Sequence, residues 1–458
     1  MKSYSNEEIS LIFEDIAKDY NRENQYFDIL YDSTSLLRIK KSRSEEIISN
    51  NEQSGIVGRT YIGKWKEVAI NNFSDLESLK HKIPKISEQD SILKRLDGWE
   101  LKKKINPQID PQTITIEEKT QKIRKIYEFL KNYDDKIINP IIGYSEVLNS
   151  RIFINNEGSN LIQVIPRTRL FIQPIAKEGN KIDFDYYSIG GEIGFEIFDK
   201  LEDQLEKIAQ NSLNMLNAES PPSGKYPIIL DPDMTGLIAH ESFGHGLEAD
   251  QILRERSYLK NLLDKKVASE LCNINDTPNI SSELGSSFFD DEGIKTEKNI
   301  LVENGILRDF IHNRITASIL DSEPKGNGRR ESYAHPLYVR MSNTYFEPGD
   351  YSLEEMISEI KNGVLLCRGY FGMEDPLGGG LQVTSKKGFL IKNGEETKLL
   401  KAITLSGSVL DLLNSIDAIS KDKLKLKPGS CGKGYEDFVP VTSGGSYTRT
   451  KEALISPG

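Results

Sequence analysis

The stretch YPIILDPDMTGLIAHESFGH, residues 226–245, marks a change between two kinds of predicted structure. Its first five residues are apolar enough for a buried strand, and DPDMTG then leads into a predicted helix. Directly before the apolar run, AESPPSGKYP (218–227) contains three prolines and a glycine, which interrupt regular structure. We therefore predict an α+β fold in which a mixed α/β domain over residues 1–218 precedes a β-rich domain over residues 219–458 that carries this helix.

The sequence before this stretch combines predicted helices with predicted strands. Ser5 with Glu8, and Thr115 with Glu118, have the spacing of a capping box and predict two helix starts. After residue 245 the chain is rich in glycine and is predicted to form mostly strands and turns. The other predicted elements are strands in FDILYDS (27–33) and SLLRIKKS (35–42), a hairpin over 55–73 that turns at Gly63, a β-meander over 150–198 and a helix over about 199–218.

Composition excludes several classes of protein. The 458 residues carry a net charge of −11, so the chain repels phosphate backbones and nucleic acid is not an expected partner. Three cysteines do not make a disulfide framework and favour a reducing compartment. The amphipathic, acidic N-terminus is unlike a secretory signal, and no apolar run is long enough to span a membrane. We expect a cytoplasmic protein.

Two histidines in the predicted helix suggest metal chemistry. His240 and His245 are five residues apart, and Glu241 follows the first of them. Zinc peptidases commonly space the pair by four, and a spacing of five rotates the second ring by roughly 140° on a regular helix. Both rings could still reach one metal if the helix ends or bulges, which Gly244 and Gly246 would tolerate. A helix end capped by the two rings is the alternative.

A catalytic zinc site needs a third protein ligand and keeps its fourth position open. Cys431 is a candidate because its segment, PGSCGKG, is predicted to be a glycine-rich turn in which a ligand can approach closely. Lys433 beside it would favour the thiolate. Glu248 and Asp250 compete for the same role, although carboxylates on helices are commonly exposed. The other two cysteines are predicted to be buried structural thiols.

Several separate blocks of the sequence, taken in order, resemble the TldD/PmbA metallopeptidase family, and in particular its catalytic, TldD-type subunit. The similarity covers nearly the whole chain and is densest over residues 221–449. The blocks are PPSGKYPIILDPDMTGLIAHESFGHGLEAD, the DDEG turn (290–293), LVENGILRDFIHNR (301–314), GNGRRESYAHPLYVRMSNTY (326–345), GGGLQVTS (378–385), GSCGKG (429–434) and, earlier, FDILYDSTSLLRIKKSRSE and GIVGRTYIGKWKEVAINN.

The resemblance implies a metal site and a reaction. The family's ligands fall on His240, His245 and Cys431, and its catalytic glutamate falls on Glu241. One Zn²⁺ per catalytic subunit is expected, with Glu241 as the base that acts on a metal-bound water. The expected activity is hydrolysis of small or unfolded peptides by a homodimer, or by a heterodimer with a metal-free homologous subunit.

Three further residues are candidates for substrate binding, and the sequence allows two alternative functions. His335, in RRESYAHPL, is a candidate donor to the substrate, with Tyr333 and Arg330 nearby. The alternative is a structural loop in which His335 caps a turn. The chain could also be a non-catalytic peptide-binding or scaffold subunit, or a zinc hydrolase of another kind, such as an amidase.

Overall fold

The computed structural model describes residues 4–20, 25–84, 92–199, 201–434 and 437–458. Strands make up 44% and helices 23% of the structure, so the predicted mixed, β-rich fold class is confirmed. The α-helices are α1 Asn6–Lys18, α2 Leu76–Lys82, α3 Ile116–Lys131, α4 Glu202–Met215, α5 Pro232–Leu237, α6 Ala249–Leu253, α7 Arg314–Leu320, α8 Leu353–Ser358 and α9 Val409–Asn414.

The strands of the N-terminal half form one sheet. In spatial order it runs β3-β2-β1-β5-β6-β4, and β7 and β8 pair with the free length of β6. All neighbours are antiparallel except β4 and β6. The strands are β1 Tyr26–Lys41, β2 Glu46–Tyr61, β3 Trp65–Ile70, β4 Glu100–Lys104, β5 Ile137–Asn155, β6 Asn160–Glu178, β7 Lys181–Phe184 and β8 Tyr187–Gly191.

The two faces of this sheet have different neighbours. Alternate residues of a strand point to opposite faces, and one face packs against α1 to α4 in two apolar clusters. The other face presents Leu30, Val57 and Phe153, which pack against Phe289 and Tyr333 of the C-terminal half. The sheet therefore lies between its own helices and the part of the chain that carries the histidine motif.

Most of the local predictions for this half are confirmed. Both capping boxes form, and Gly63 turns the hairpin with φ of 76°. The runs predicted as two strands over 27–33 and 35–42 are instead one continuous strand, β1, because a single antiparallel pairing with β2 extends along its whole length. The helix predicted over about 199–218 is α4, and the β-meander starts earlier than predicted, at the beginning of β5.

The C-terminal half contains two larger sheets and a small hairpin of β13 and β14. One sheet has the order β12-β11-β10-β15-β21-β20; the other has the order β18-β17-β16-β9-β22-β19, and β22 also pairs with β18, which closes a ring. The strands are β9 Gly224–Leu230, β10 Ile274–Asp276, β11 Asn299–Glu303, β12 Ile306–Leu307, β13 Gly328–Arg329, β14 Tyr338–Val339, β15 Asn343–Phe346, β16 Asn362–Glu374, β17 Gly380–Lys392, β18 Glu395–Ser408, β19 Ile416–Ile419, β20 Lys425–Lys433, β21 Asp437–Gly445 and β22 Thr448–Pro457.

The histidine motif lies between these two sheets. The predicted buried strand is β9, which pairs with β16 and β22 inside the ring and delivers the chain directly to α5. Helix α5 packs against β16 on one side and against β20 and β21 on the other. Residues 216–223 connect α4 to β9 and include the predicted boundary at residue 218. The division into two domains stays a prediction.

Two smaller findings bear on the expectations from composition. All three cysteines are free thiols. Among the described residues, no helix is both long enough and apolar enough to cross a membrane.

Candidate metal centre

The histidine helix starts at a cap and widens after one turn. Asp231 accepts a hydrogen bond from the backbone N–H of Met234 at 2.9 Å, and the next residue is a proline at the first helical position. Residues Ile238–Gly244 then form a π-helical turn, and the N–H of His245 donates to the carbonyl of His240, five residues back. A π turn closes its hydrogen bonds at this longer spacing, so it brings two residues five apart to the same side of the helix.

The π turn depends on a glycine. A Cβ atom on Gly244 would lie 2.1 Å from the sulfur of Met341 and 2.8 Å from the carbonyl oxygen of Ala239, both far inside van der Waals contact. The backbone of the motif is therefore packed directly against its neighbours at this position. The sequence predicted that Gly244 would tolerate an irregular helix. The structure shows that close packing leaves no room for a side chain at this position.

Three donor side chains converge beside this turn. The rings of His240 and His245 have centroids 5.2 Å apart and planes at 79°. Cys431 Sγ lies 3.6 Å from His245 Nε2, and one donor atom from each of the three residues lies within 4.8 Å of the other two. His240 and Cys431 are buried, and His245 is partly buried. Residues 186 positions apart in the chain thus meet at one point.

This donor set fits a zinc ion. Two imidazoles and a thiolate are ligands that zinc favours, and three protein ligands are the number expected of a catalytic site. His240 Nδ1 is buried and has no hydrogen-bond partner among the described residues, which is unusual for a buried polar atom.

The electrostatics of the three side chains favour the thiolate form of Cys431. Burial alone would raise the pKa of the Cys431 thiol, but His245 and His240 outweigh it and hold that pKa well below its usual range. Burial would lower the pKa of His245, but Cys431 and Glu248 raise it well above its usual value. A thiolate is the form of cysteine that binds metals, and a metal bound here would displace the proton that His245 otherwise holds.

Glu248 and Asp250, which the sequence offered as competing ligands on an exposed helix face, are both shielded from solvent. Glu248 Oε2 lies 3.3 Å from His245 Nδ1 and 2.8 Å from Lys433 Nζ, and Asp250 accepts from the same ammonium at 2.8 Å. Burial would raise the pKa of Glu248, but Lys433 and His245 lower it to about 2. Glu248 therefore contacts the ring nitrogen of His245 that does not face Cys431. Lys433, expected beside the thiol, pairs with these two carboxylates instead.

Glu241 lies at the edge of an open cleft beside the three donors. Its Oε2 is 3.9 Å from His245 Nε2, and its side chain is 36% exposed. Gly372 at the end of β16 passes so close that a Cβ there would lie 2.9 Å from Glu241 Cγ. Together with His240, Glu241 lines a cleft of about 360 Å³ whose other walls come from α5, β6, β16, β20, β21 and the start of β8. A carboxylate is thus available on the side of the donors that ligands can enter.

Comparison with known proteins identifies the family. A family model described as the PmbA/TldA metallopeptidase C-terminal domain matches residues 223–455, and a model of the central domain matches residues 109–216. A metalloprotease of Methanocaldococcus jannaschii is 36% identical over 439 residues, which cover 92% of this chain and 94% of that protein. The chain belongs to the TldD/PmbA metallopeptidase family. A zinc metalloprotease TldD homolog of Saccharolobus solfataricus is 31% identical over 342 residues, covering 74% of this chain and 76% of that protein.

Solved structures share the fold of this TldD/PmbA protein along its full length. A crystal structure from Thermotoga maritima superposes with a TM-score of 0.79 at 20% identity and covers 99% of this chain and 100% of its own. TldE from Thermococcus kodakarensis has a TM-score of 0.76 at 18% identity and covers 98% of this chain and 99% of its own. The arrangement of sheets described above is therefore a fold already known from other organisms.

In this TldD/PmbA protein, the segment around Cys431 forms a strand and not the predicted turn. PGSCGKG was predicted to be a turn, but its first six residues lie in β20 and pair with β21, and only Gly434 lies in a turn. The pairing is possible because β21 supplies ladder partners for the glycines, and Arg340 donates from its fully buried guanidinium to the carbonyl of Cys431. Among the described strands β20 is the edge of its sheet, so its other side faces the cleft.

The three residues suggested for substrate contact lie outside the cleft that contains His240 and Glu241. Arg330 is buried and pairs with Glu67 at 2.8 Å, and the hydroxyl of Tyr333 donates to Asn71 at 2.9 Å. Both residues thus join the two halves of the chain. His335 Nδ1 lies 2.7 Å from the hydroxyl of Ser332, and a donor atom of the histidine lies within 4.8 Å of carboxylate oxygens of Glu331 and Asp437. Their predicted role in substrate binding stays a prediction.

Proposed function

We propose that this chain is a catalytic, TldD-type zinc peptidase that hydrolyses small or unfolded peptides. The observation that carries the proposal is the convergence of His240, His245 and Cys431 within 4.8 Å, beside a cleft that Glu241 also lines. In this proposal the three converging side chains hold one zinc ion. Glu241 is the base.

The zinc ion, when bound, would polarise a peptide carbonyl and lower the pKa of a bound water to about 7. Glu241 is placed to take a proton from the attacking water and to deliver it to the leaving amine. Its exposed carboxylate, 3.9 Å from His245 Nε2, can reach both the donors and the cleft. Glu248 holds His245 from the opposite ring nitrogen, and Lys433 neutralises Glu248, so the histidine keeps one orientation.

An extended peptide fits the cleft better than a folded protein. Cys431 lies on the edge strand β20, and residues Lys427 to Ser430 of the same strand line the cleft. A substrate strand added to this edge would bond through its backbone, which explains how peptides of different sequence could bind. The cleft of about 360 Å³ has room for a few residues of chain and not for a domain.

A second, homologous subunit is part of the proposal. The hairpin of β16 and β17 exposes apolar side chains, including Leu377 in its turn at 64% and Tyr370 of β16, which also lines the cleft, at 60% exposure. Phe371 and Met373 lie between them and are also more than half exposed. An apolar patch of this kind beside a cleft is typical of a protein interface. We propose a homodimer or a heterodimer with a metal-free homologous subunit; TldE shows that the same fold occurs in a second protein of this kind.

Zinc content and hydrolysis, measured together, test the proposed function. The purified chain should contain about one zinc per catalytic subunit and should cleave unstructured peptides but not folded proteins. His240→Ala and Cys431→Ala should each lose the metal and the activity. A chain without metal that still binds peptides would instead be a scaffold subunit. Cleavage of non-peptide amides alone would indicate an amidase.

A further inference from the structure

A second cleft, which is lined by several arginines, lies between the N-terminal sheet and the C-terminal half. It has a volume of about 280 Å³, and its walls come from β1, β5 and β6 on one side and from β20 and β21 on the other. Its lining includes Arg38, Arg167, Arg169 and Arg329. So many cations in one cleft stand out in a chain whose net charge is −11.

Two of these arginines are buried and have no carboxylate partner among the described residues. Arg167 donates to the backbone carbonyls of Leu284 at 2.9 Å and Ser286 at 2.5 Å. Arg329 donates to the carbonyls of Met341 at 2.7 Å and Pro440 at 2.8 Å. Each guanidinium is therefore held by neutral carbonyl groups, and the nearby Glu192 and Asp291 offset only part of its charge, which is costly for a buried ion.

The other two unpaired arginines are Arg169, which adjoins the cleft of His240 and Glu241, and Arg38, which lies at the surface. Arg169 donates to the hydroxyl of Ser430 at 3.1 Å, and Ser430 directly precedes Cys431. Both Arg169 and Ser430 also line the cleft that contains His240 and Glu241, so the two clefts meet at this pair. Arg38 is exposed on β1. Neither arginine has an ion-pair partner within the described part of the chain.

The remaining charged groups in the cleft do not cancel these cations. Arg151 is already paired with Asp32 and Asp291, and Arg330 is paired with Glu67. The acidic groups that line the cleft are Asp290, which is buried and accepts backbone N–H groups, and Glu331, which is exposed and accepts the N–H of Phe438. Burial raises the pKa of Asp290 well above its usual value.

The electrostatic cost of this arrangement is visible in the arginines themselves. Burial, with repulsion from Arg167, Arg340 and Arg151, lowers the pKa of Arg329 to about 9. Burial also lowers the pKa of Arg167 to about 10. A bound anion would relieve both effects, since an opposite charge within hydrogen-bond distance favours the charged form of a base.

We propose that the arginine cleft binds a carboxylate of the peptide substrate, either its C-terminal carboxylate or an Asp or Glu side chain, while the neighbouring chain lies along β20 towards the metal. The inference rests on the proposed peptidase function for the identity of the substrate. Planar guanidinium groups match a carboxylate in geometry and form charge-assisted hydrogen bonds with it. The cleft is too small for a nucleic acid, and the acidic chain as a whole repels one.

Binding can be measured apart from turnover in the full-length Glu241→Gln protein loaded with zinc. Three fluorescent peptides of one sequence are compared: one with a glutamate and a free C-terminus, one with the glutamate replaced by glutamine, and one amidated at the C-terminus. We expect one of the two neutralised peptides to bind about 10-fold more weakly at low salt, with a smaller difference at high salt. The peptide that weakens identifies the source of the carboxylate. Equal affinity for all three, competition by inorganic phosphate but not by peptide, or no binding would overturn the proposal.

Variants locate the effect. Arg169→Gln at the junction of the clefts and Arg38→Gln on exposed β1 should each reduce the preference for the peptide that keeps the carboxylate. In Arg38→Gln, which is remote from the cleft of His240 and Glu241, binding of the neutralised peptide should change little. Arg124→Gln is the charge-matched control, because Arg124 lies on the exposed surface of α3 and pairs with Glu46. A preference that survives in both cleft variants, or that falls equally in the control, would contradict the inference. If the unchanged protein hydrolyses peptides but the binding test shows no preference for the carboxylate, this inference is refuted and the peptidase function stands. If the preference is found but the unchanged, zinc-loaded protein hydrolyses no peptide, the proposed function fails and the binding inference stands.

Discussion

Glu248 Oε2 lies 3.3 Å from Nδ1 of His245, on the ring nitrogen opposite to the one that faces Cys431. Hydrogen bonds of this type fix the orientation of a metal-binding histidine and increase its basicity. Because Glu248 is fully buried and also bonded to Lys433, it cannot exchange this contact for water. The affinity of the proposed metal site should therefore depend on a residue that does not bind the metal.

Glu248→Gln should weaken zinc binding by about 10- to 100-fold, because the neutral amide removes the negative charge next to His245. The measurement is zinc affinity by competition with a chelator. Asp250→Asn is the matched control, since Asp250 contacts the same Lys433 ammonium at 2.8 Å but does not bond to His245. Equal losses in the two variants would assign the effect to Lys433 and not to the histidine contact.

Glu241→Gln should separate chemistry from metal binding. Glutamine keeps the size of the side chain but cannot accept a proton, so turnover of peptides should fall by about 10²- to 10⁴-fold. The zinc content should remain that of the unchanged protein, because Glu241 is not among the three converging donors. Elemental analysis and peptide cleavage on the same preparation check both parts. Undiminished turnover would exclude Glu241 as the base.

The sequence predicted the local helices and strands better than it predicted their packing against one another. Capping boxes and alternating strands depend on neighbours in sequence, so the helix starts at Ser5 and Thr115 and the hairpin at Gly63 could be found. The spacing of His240 and His245 left the helix geometry open, because the π turn depends on packing between Gly244 and Met341, about 100 residues away.

Charged groups were the least predictable part of the site. Glu248 and Asp250 resemble ordinary exposed helix carboxylates until β20 places Lys433 against them. The arginines of the second cleft come from strands that are distant in sequence, and no spacing connects Arg38 with Arg167 or Arg329. The strand pattern did offer one sign. An arginine at an inward-facing strand position is uncommon and needs a structural or functional reason.

Gly244→Ala tests the π turn directly. The added methyl group would overlap the carbonyl oxygen of Ala239, which belongs to the backbone and cannot move freely. We expect a loss of about 1–3 kcal/mol in the free energy of unfolding and weaker zinc binding, because His245 follows in the chain and must shift. Gly143→Ala in β5 is the control, since a Cβ there has its nearest neighbour at 4.0 Å. An unchanged zinc affinity in Gly244→Ala would show that the π turn is not required.

Glu192 should make the stability of the fold depend on pH. Burial raises the pKa of its carboxyl from 4.5 to about 7, and the nearby Arg167 only partly opposes this. Between these two pH values the folded carboxyl keeps its proton while the unfolded one releases it, so the free energy of unfolding falls as pH rises through this window. Glu192→Gln remains neutral throughout. It should be more stable than the unchanged protein by on the order of 2 kcal/mol at pH 8 and equal to it near pH 4, as measured by urea unfolding in one metal state. Glu202→Gln, at an exposed position of α4, should show no such difference; a stability gap for Glu192→Gln that is the same at both pH values would contradict the assignment.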